Sequence, residues 1–212
     1  MLRRPKVQTR LDLVPNPNHP MQGSSIKVEP IRDKRAIQRI KAHLNLRDRC
    51  FFTLGINTAY RANELLSIKL DQVRDLRPGD TLELKQSKTK KHRMVTLNNA
   101  AYEALQAYLT QDEGLLKRID QNRAEYLFYS QKGAVLTVST VSTCVKRWCQ
   151  EAGLKGNFGS HTLRKTWGFW QYKAGAPIPL LMEAFGHSTQ QQTLAYLCIQ
   201  AQEVRALYEM EL

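Results

Sequence analysis

The sequence is poor in cysteine and has no long apolar run. Four of its 212 residues are cysteine, and they form neither a CxxC pair nor a zinc-ligand spacing with histidine. This usage indicates free thiols in a reducing cytosol. No stretch approaches the roughly 18–20 apolar residues that span a bilayer, and residues 1–20 lack the apolar segment of a secretory signal. The sequence therefore argues against a disulfide scaffold, a zinc module and a membrane-spanning protein. The cysteines are Cys50, Cys144, Cys149 and Cys198.

Nucleotide-binding motifs are also absent, whereas positive charge is abundant. Neither GxGxxG nor GxxxxGK[ST] occurs, which argues against Rossmann and P-loop chemistry. The chain has 32 Lys and Arg against 19 Asp and Glu, a formal net charge of +13. Charge of this size predicts an anionic partner. Because a membrane is disfavoured, nucleic acid is the leading candidate.

Two regions are predicted along the chain. Residues 1–30 contain five prolines and few periodic apolar positions, so we expect a flexible basic arm. The arm either lies along DNA phosphates or makes no contact, and the sequence leaves both readings open. Residues 31–212 are long enough to bury one core.

The apolar periodicity predicts a mainly α domain with a small antiparallel β-sheet. Helices are expected over 33–44, 48–58, 62–70, 100–109, 138–154, 160–175, 177–185, 189–197 and 202–210. Strands are expected over 80–85, 93–97 and 125–130.

Four segments carry residues suited to chemistry on a phosphate. They are TAYRANELL with Arg61, SKTKKHR with Lys88, SHTLRKT with His161 and Arg164, and GHSTQQQTLAY with His187 and Tyr196. Arginine holds two phosphate oxygens with its planar fork and keeps its charge. A tyrosine can act as a nucleophile when a base and cations assist it. Taken alone, each segment is a weak signal, and Tyr196 alone would be read as a core aromatic.

Together, in this order and spacing, the four segments resemble the conserved boxes of the tyrosine recombinase, or phage integrase, family. The resemblance covers roughly residues 33–210. It implies the catalytic-domain fold of that family and a site-specific DNA recombinase or integrase. It also implies cleavage through a 3′-phosphotyrosyl intermediate, without metal, ATP or other cofactor.

The resemblance assigns roles to the boxed residues. Arg61 and Arg164 would bind the phosphate, and Tyr196 would be the nucleophile. His161 is the candidate base, and His187 would hydrogen-bond the phosphate or the tyrosine.

The hairpin segment contributes the remaining candidates. Lys88 is the candidate acid that protonates the leaving 5′ oxygen. The other basic residues of the hairpin are expected to contact DNA, although a solvated turn is the plain alternative. Outside the hairpin, Glu64 would support Arg61 structurally, without a catalytic role. The expected DNA contacts are Lys85, Lys90, Lys91 and Arg93.

The resemblance implies double-stranded recombination sites as the partner. Four protomers would bind them as a tetramer, and the protein would be a monomer when free of DNA. Accessory DNA-bending proteins fit the same resemblance, as does a cytoplasmic protein encoded by a bacterium or phage. Only about thirty residues precede the domain, so we expect either a short form without the N-terminal core-binding domain or a fragment. Two other functions stay open: relaxation of DNA by a type IB topoisomerase-like enzyme, and DNA binding by a catalytically silent regulator.

Overall fold

The computed structural model describes residues 27–85 and 92–199, and of Lys85 only the backbone. Within these ranges the predicted class, mainly α with a small antiparallel sheet, is confirmed. The helices are α1 (Lys34–His43), α2 (Leu46–Thr58), α3 (Ala62–Leu66), α4 (Asn99–Gln111), α5 (Glu113–Asp120), α6 (Val138–Glu151), α7 (Thr162–Lys173), α8 (Ile178–Phe185) and α9 (Gln190–Leu197), with a 3-10 turn at Leu70–Gln72. The strands are β1 (Thr81–Lys85) and β2 (His92–Thr96).

Side-chain caps explain where several helices begin. The side chain of Asp33 accepts from Arg35 N at the start of α1, and Asn98 accepts from Ala101 N at the start of α4. Thr189 does the same for α9, accepting from Gln192 N. Each cap satisfies a backbone N–H that has no partner within its own helix.

Three expectations differ from the structure. The third strand, 125–130, is wrong: it forms only isolated bridges, at Tyr126 and Tyr129. Tyr126 pairs with Lys69, in the short gap between the end of α3 at Leu66 and the 3-10 turn at Leu70, whereas Tyr129 pairs with Val135. No single partner segment is therefore long enough for a ladder. The expected single helix over 62–70 is broken at the same place. The helix α5 was not predicted, and the helix predicted over 202–210 lies outside the described residues.

The core is built around α2. Phe51, Phe52 and Leu54 are almost fully buried, and α2 packs against both α4 and α7. The approach of α7 depends on Gly55, because a Cβ there would lie 2.6 Å from Leu163 Cδ1. This packing places the N-terminal half of α7 beside the C-terminal end of α2.

The segment before α1 also lies on α7. Ile31 N donates to Thr166 Oγ1 at 2.8 Å, and Trp170 Nε1 donates to Ile31 O at 3.0 Å. Within residues 27–30, which belong to the predicted arm, Glu29 N donates to Asn157 O at 2.8 Å. Residues 1–26 of that arm lie outside the described residues, and the arm as a whole stays a prediction.

Candidate active site

Arg61 is presented by a sharp turn between α2 and α3. The helix α2 ends where Ala59 adopts a left-handed conformation, with φ 53°. Two residues later Arg61 caps α3, where its N–H and its Nη1 donate to the two carboxylate oxygens of Glu64, each at 2.7 Å. Glu64 is 2% exposed, so the predicted support of Arg61 by a buried carboxylate is confirmed.

Arg164 lies on α7 with only 2% of its surface exposed. Its guanidinium donates to Ala59 O at 2.5 Å and to Phe185 O at 2.6 Å. Arg61 Nη2 donates to the same Phe185 carbonyl at 3.4 Å. Burial lowers the pKa of Arg164 to about 10, which leaves it charged at neutral pH. The structure therefore brings the two predicted arginines together around one backbone carbonyl.

His187 follows Gly186, whose left-handed conformation (φ 63°) ends α8. Its ring stacks on Phe185 with centroids 5.1 Å apart, and its Nδ1 lies 3.0 Å from the hydroxyl of Thr193. Burial, reinforced by the charges of Arg164 and Arg61, lowers its pKa to about 4. At neutral pH His187 is thus a neutral imidazole.

Tyr196 projects from α9 into this group of rings and cations. Its ring lies 5.0 Å from Phe185 and 5.1 Å from His187, centroid to centroid. Burial raises the pKa of the phenol, and the charges of Arg164 and Arg61 oppose that rise. The cations therefore act in the direction expected from the sequence, but burial is the larger effect.

His161 reaches the phenol from the start of α7. It occupies the cap position before the helix, and its Nδ1 lies 3.3 Å from Tyr196 Oη. Arg164 follows one turn later, and the two side chains point into one pocket as their spacing predicted, with Tyr196 beside both. A histidine at this distance is within reach of the phenolic proton once the contact tightens.

The hairpin candidates are described only in part. Lys88, Lys90 and Lys91 lie outside the described residues, and of Lys85 only the backbone in β1 is described. Arg93, on β2, donates to Ala59 O and Thr58 O, both at 3.0 Å. Its guanidinium is therefore engaged inside the protein, and its contact with DNA stays a prediction.

Sequence reasoning passed over two residues of the site. Phe185 supplies both a ring beneath Tyr196 and the carbonyl shared by the arginines. Lys165 is 5% exposed, with its Nζ 4.8 Å from the centre of the Tyr196 ring. The adjacency of Lys165 to Arg164 was the one available signal, and it does not distinguish an inward lysine from an outward one.

Two further properties concern metals and membranes. Within residues 27–85 and 92–199, no three His, Cys, Asp or Glu side chains are grouped so that they could hold a metal ion. In the same ranges no helix has the length and apolar character needed to cross a bilayer.

Comparison with known proteins places this site in context. The family described as the phage integrase family matches residues 32–203. The probable integrase/recombinase YoeC of Bacillus subtilis strain 168 is 31% identical over 186 residues, which cover 86% of this chain and 96% of the relative. The tyrosine recombinase XerD of Corynebacterium glutamicum is 27% identical over 169 residues, or 80% of this chain and 54% of XerD.

Solved structures show the same likeness at the level of the fold. The XerA recombinase superposes with a TM-score of 0.70 at 21% identity, over 89% of this chain and 66% of that one. The XerH recombinase, solved with a palindromic difH substrate, gives a TM-score of 0.67 at 23% identity, over 89% of this chain and 55% of XerH.

Proposed function

The chain belongs to the phage integrase family, and on that premise we propose that it is a site-specific DNA recombinase. The expected tyrosine recombinase catalytic-domain fold is confirmed by the likeness to XerA and XerH. The chain spans nearly all of YoeC but about half of XerD, so the activity of those proteins is carried over as a proposal.

One observation carries the proposal. The phenol of Tyr196 lies 3.3 Å from His161 Nδ1, beside an arginine pair that meets at Phe185 O. A nucleophile, a candidate base and two cations thus converge on one small volume. This combination suits chemistry on a phosphodiester, because attack adds negative charge to the non-bridging oxygens and the cations stabilise it.

The arginines would bind and polarise the phosphate. A guanidinium has five N–H donors, of which the carbonyls of Ala59 and Phe185 take two from Arg164. These bonds fix the plane of the guanidinium before DNA arrives. Fixed donors stabilise a transition state without having to reorganise during the reaction.

The proton transfers follow from the same arrangement. Tyr196 Oη would attack phosphorus and pass its proton to His161, while the bond from phosphorus to the 5′ oxygen breaks. Lys88 is proposed to protonate that leaving oxygen. The products of the step are a 3′-phosphotyrosyl link and a free 5′ hydroxyl, which can then attack the phosphotyrosine of a partner strand. His187, being neutral, would donate a hydrogen bond to a phosphate oxygen.

The implied partners remain part of the proposal. They are two double-stranded recombination sites bound by four protomers, with accessory DNA-bending proteins where the site requires them. The basic residues Lys85, Lys90 and Lys91 are proposed to contact DNA phosphates, which would make binding strongly dependent on salt.

The test uses nicked duplexes tiled from the DNA that flanks the gene of this chain. A nick just 3′ of the cleaved position releases a short strand and traps the covalent adduct, which is scored by its resistance to SDS. Wild type should form the adduct, whereas Tyr196→Phe should bind the same DNA and form none. An adduct with Tyr196→Phe would move the nucleophile elsewhere.

Two other outcomes separate the alternatives. DNA binding without an adduct from wild type on any duplex would indicate a silent regulator. Relaxation of a supercoiled plasmid that lacks the flanking sequences would indicate topoisomerase-like activity.

A further inference from the structure

We propose that Tyr60 and Arg93 are positioning residues that hold the β1–β2 hairpin against the turn carrying Arg61. The connection of this hairpin, residues 86–91, contains Lys88. The inference rests on the proposed function, because it concerns the delivery of the proton from Lys88 to the leaving oxygen.

Tyr60 connects the turn to both strands of the hairpin. It is 1% exposed and immediately precedes Arg61. Its hydroxyl donates to Leu82 O on β1 at 2.7 Å and shares that proton with Arg93 O on β2 at 3.0 Å. A buried tyrosine hydroxyl needs such partners, and here each lies on a different strand. The turn is therefore joined to the hairpin as a unit.

Arg93 makes the connection in the opposite direction. From β2 its guanidinium donates to Ala59 O and Thr58 O, both at 3.0 Å, and its Cζ lies 5.0 Å from the centre of the Tyr60 ring. The two residues thus exchange bonds across one interface: the hydroxyl from the turn bonds the hairpin backbone, and the guanidinium from the hairpin bonds the turn backbone.

The same turn also orients the second catalytic arginine. Ala59 O accepts from Arg164 Nη1 as well as from Arg93 Nη1. Glu64 Oε2 lies 3.8 Å from Arg93 and 3.9 Å from Arg164. The hairpin and the phosphate-binding arginines therefore share one acceptor and one buried carboxylate, which fixes the position of one relative to the other.

Arg93 lies close to the connection of the hairpin that contains Lys88. Arg93 pairs with Leu84, and the last described pair before the connection is Lys85 with His92. A general acid has to come within hydrogen-bond reach of the oxygen it protonates. Loosening the base of the hairpin would hold the strands that flank Lys88 less closely to the turn carrying Arg61, so we expect slower protonation of the leaving oxygen.

A plain alternative is that the two residues only stabilise the fold. Burial of Arg93 lowers its pKa, which shows that its desolvation is only partly offset by Glu64. A buried arginine with partly uncompensated desolvation fits either role. The experiment must therefore separate proton delivery from stability.

The experiment compares two suicide substrates, one with the normal 5′ oxygen and one with sulfur at that bridging position. Sulfur leaves without being protonated, so it removes the need for an acid. Tyr60→Phe keeps the buried ring and the stacking of Arg93 but loses both hydroxyl contacts. Arg93→Lys keeps the charge but loses the planar fork. General acids contribute about 10²–10⁴-fold. Relative to wild type, we expect each variant to lose about tenfold more of its cleavage rate on the oxygen substrate than on the sulfur substrate.

Two controls set the scale. Lys88→Ala should show the same pattern with a larger defect, and Arg164→Ala should lose cleavage of both substrates. Equal losses on both substrates for Tyr60→Phe and Arg93→Lys would overturn the inference, as would normal cleavage of both. If either variant fails to fold, the other carries the test. Wild type that cleaves neither substrate would overturn the proposed function itself.

Discussion

Gly168 lies where α7 packs against α8 and α9, and its replacement by alanine tests how closely these helices must pack. A Cβ at this position would lie 2.7 Å from Leu197 Cδ2 and 2.9 Å from Phe185 Cε2, and closer still to Phe185 Cζ. Carbon atoms pack at about 3.5–4.0 Å. Both neighbours are fully buried, and the Phe185 ring contacts Tyr196, so a shift that relieves the clash would reach the proposed nucleophile.

The expected size of the effect follows from two opposing contributions. Overpacking a core costs about 1–3 kcal/mol, and rings on several sides of Phe185 place this site toward the upper end. Replacing glycine by alanine inside a helix stabilises the helix by up to about 1 kcal/mol. We therefore expect Gly168→Ala to lower the free energy of unfolding by about 2 kcal/mol. Moving Tyr196 by about 1 Å should slow adduct formation by about 10²-fold.

Urea unfolding and the SDS-resistant adduct assay measure the two effects separately. Gly114→Ala is the matched control on α5, because its Cβ would meet only Asp112 Oδ1, at 3.2 Å. We expect that control to stay within about 0.5 kcal/mol of wild type and to cleave normally. A Gly168→Ala protein as stable and as fast as wild type would refute the claim that close contact of α7 with Phe185 and Leu197 sets the position of Tyr196.

Two further substitutions test the charges of the site. Glu64→Gln should lower the free energy of unfolding by about 3 kcal/mol, since one partner of a buried ion pair is removed; a change below about 1 kcal/mol in urea would show that Arg61 needs no counter-charge. The pKa of His187 falls to about 4 on folding, so the unfolded chain binds its proton first and stability should drop as pH falls from about 6.5 toward 4. His187→Asn should make that drop smaller in unfolding curves at several pH values, and an unchanged pH dependence would contradict it.

The sequence predicted the members of the site better than their contacts. That Arg61, Arg164, His187 and Tyr196 would lie together was expected from the family resemblance, because the spacing within each box is local and says nothing about how separate boxes meet. The support of Arg61 by Glu64 was likewise expected from the resemblance, and their i, i+3 spacing on one turn brings the two side chains into contact.

Contacts between distant segments could not be predicted in this way. Arg93 belongs to a run of basic residues that reads as one exposed surface, yet its partner Ala59 lies on another element, 34 residues away. The sequence likewise carries no sign that the hydroxyl of Tyr60 bonds both strands of the hairpin. The failed strand at 125–130 has the same origin, because its pattern does not reveal that α3 and the 3-10 turn leave it almost no partner.

The raised pKa of Tyr196 bears on the order of events in the proposed reaction. Burial keeps the phenol protonated, and a DNA phosphate brought beside it adds negative charge that disfavours the phenolate further. The arginines cannot fully offset the rise in the pKa of Tyr196, because their positive charge is also neutralised by the phosphate. Deprotonation ahead of attack is therefore costly, whereas transfer to His161 as the bond to phosphorus forms avoids a free phenolate. A nucleophile of this kind stays protonated until it attacks, so the proposed reaction needs the phosphate and His161 within reach of the phenol at the same time.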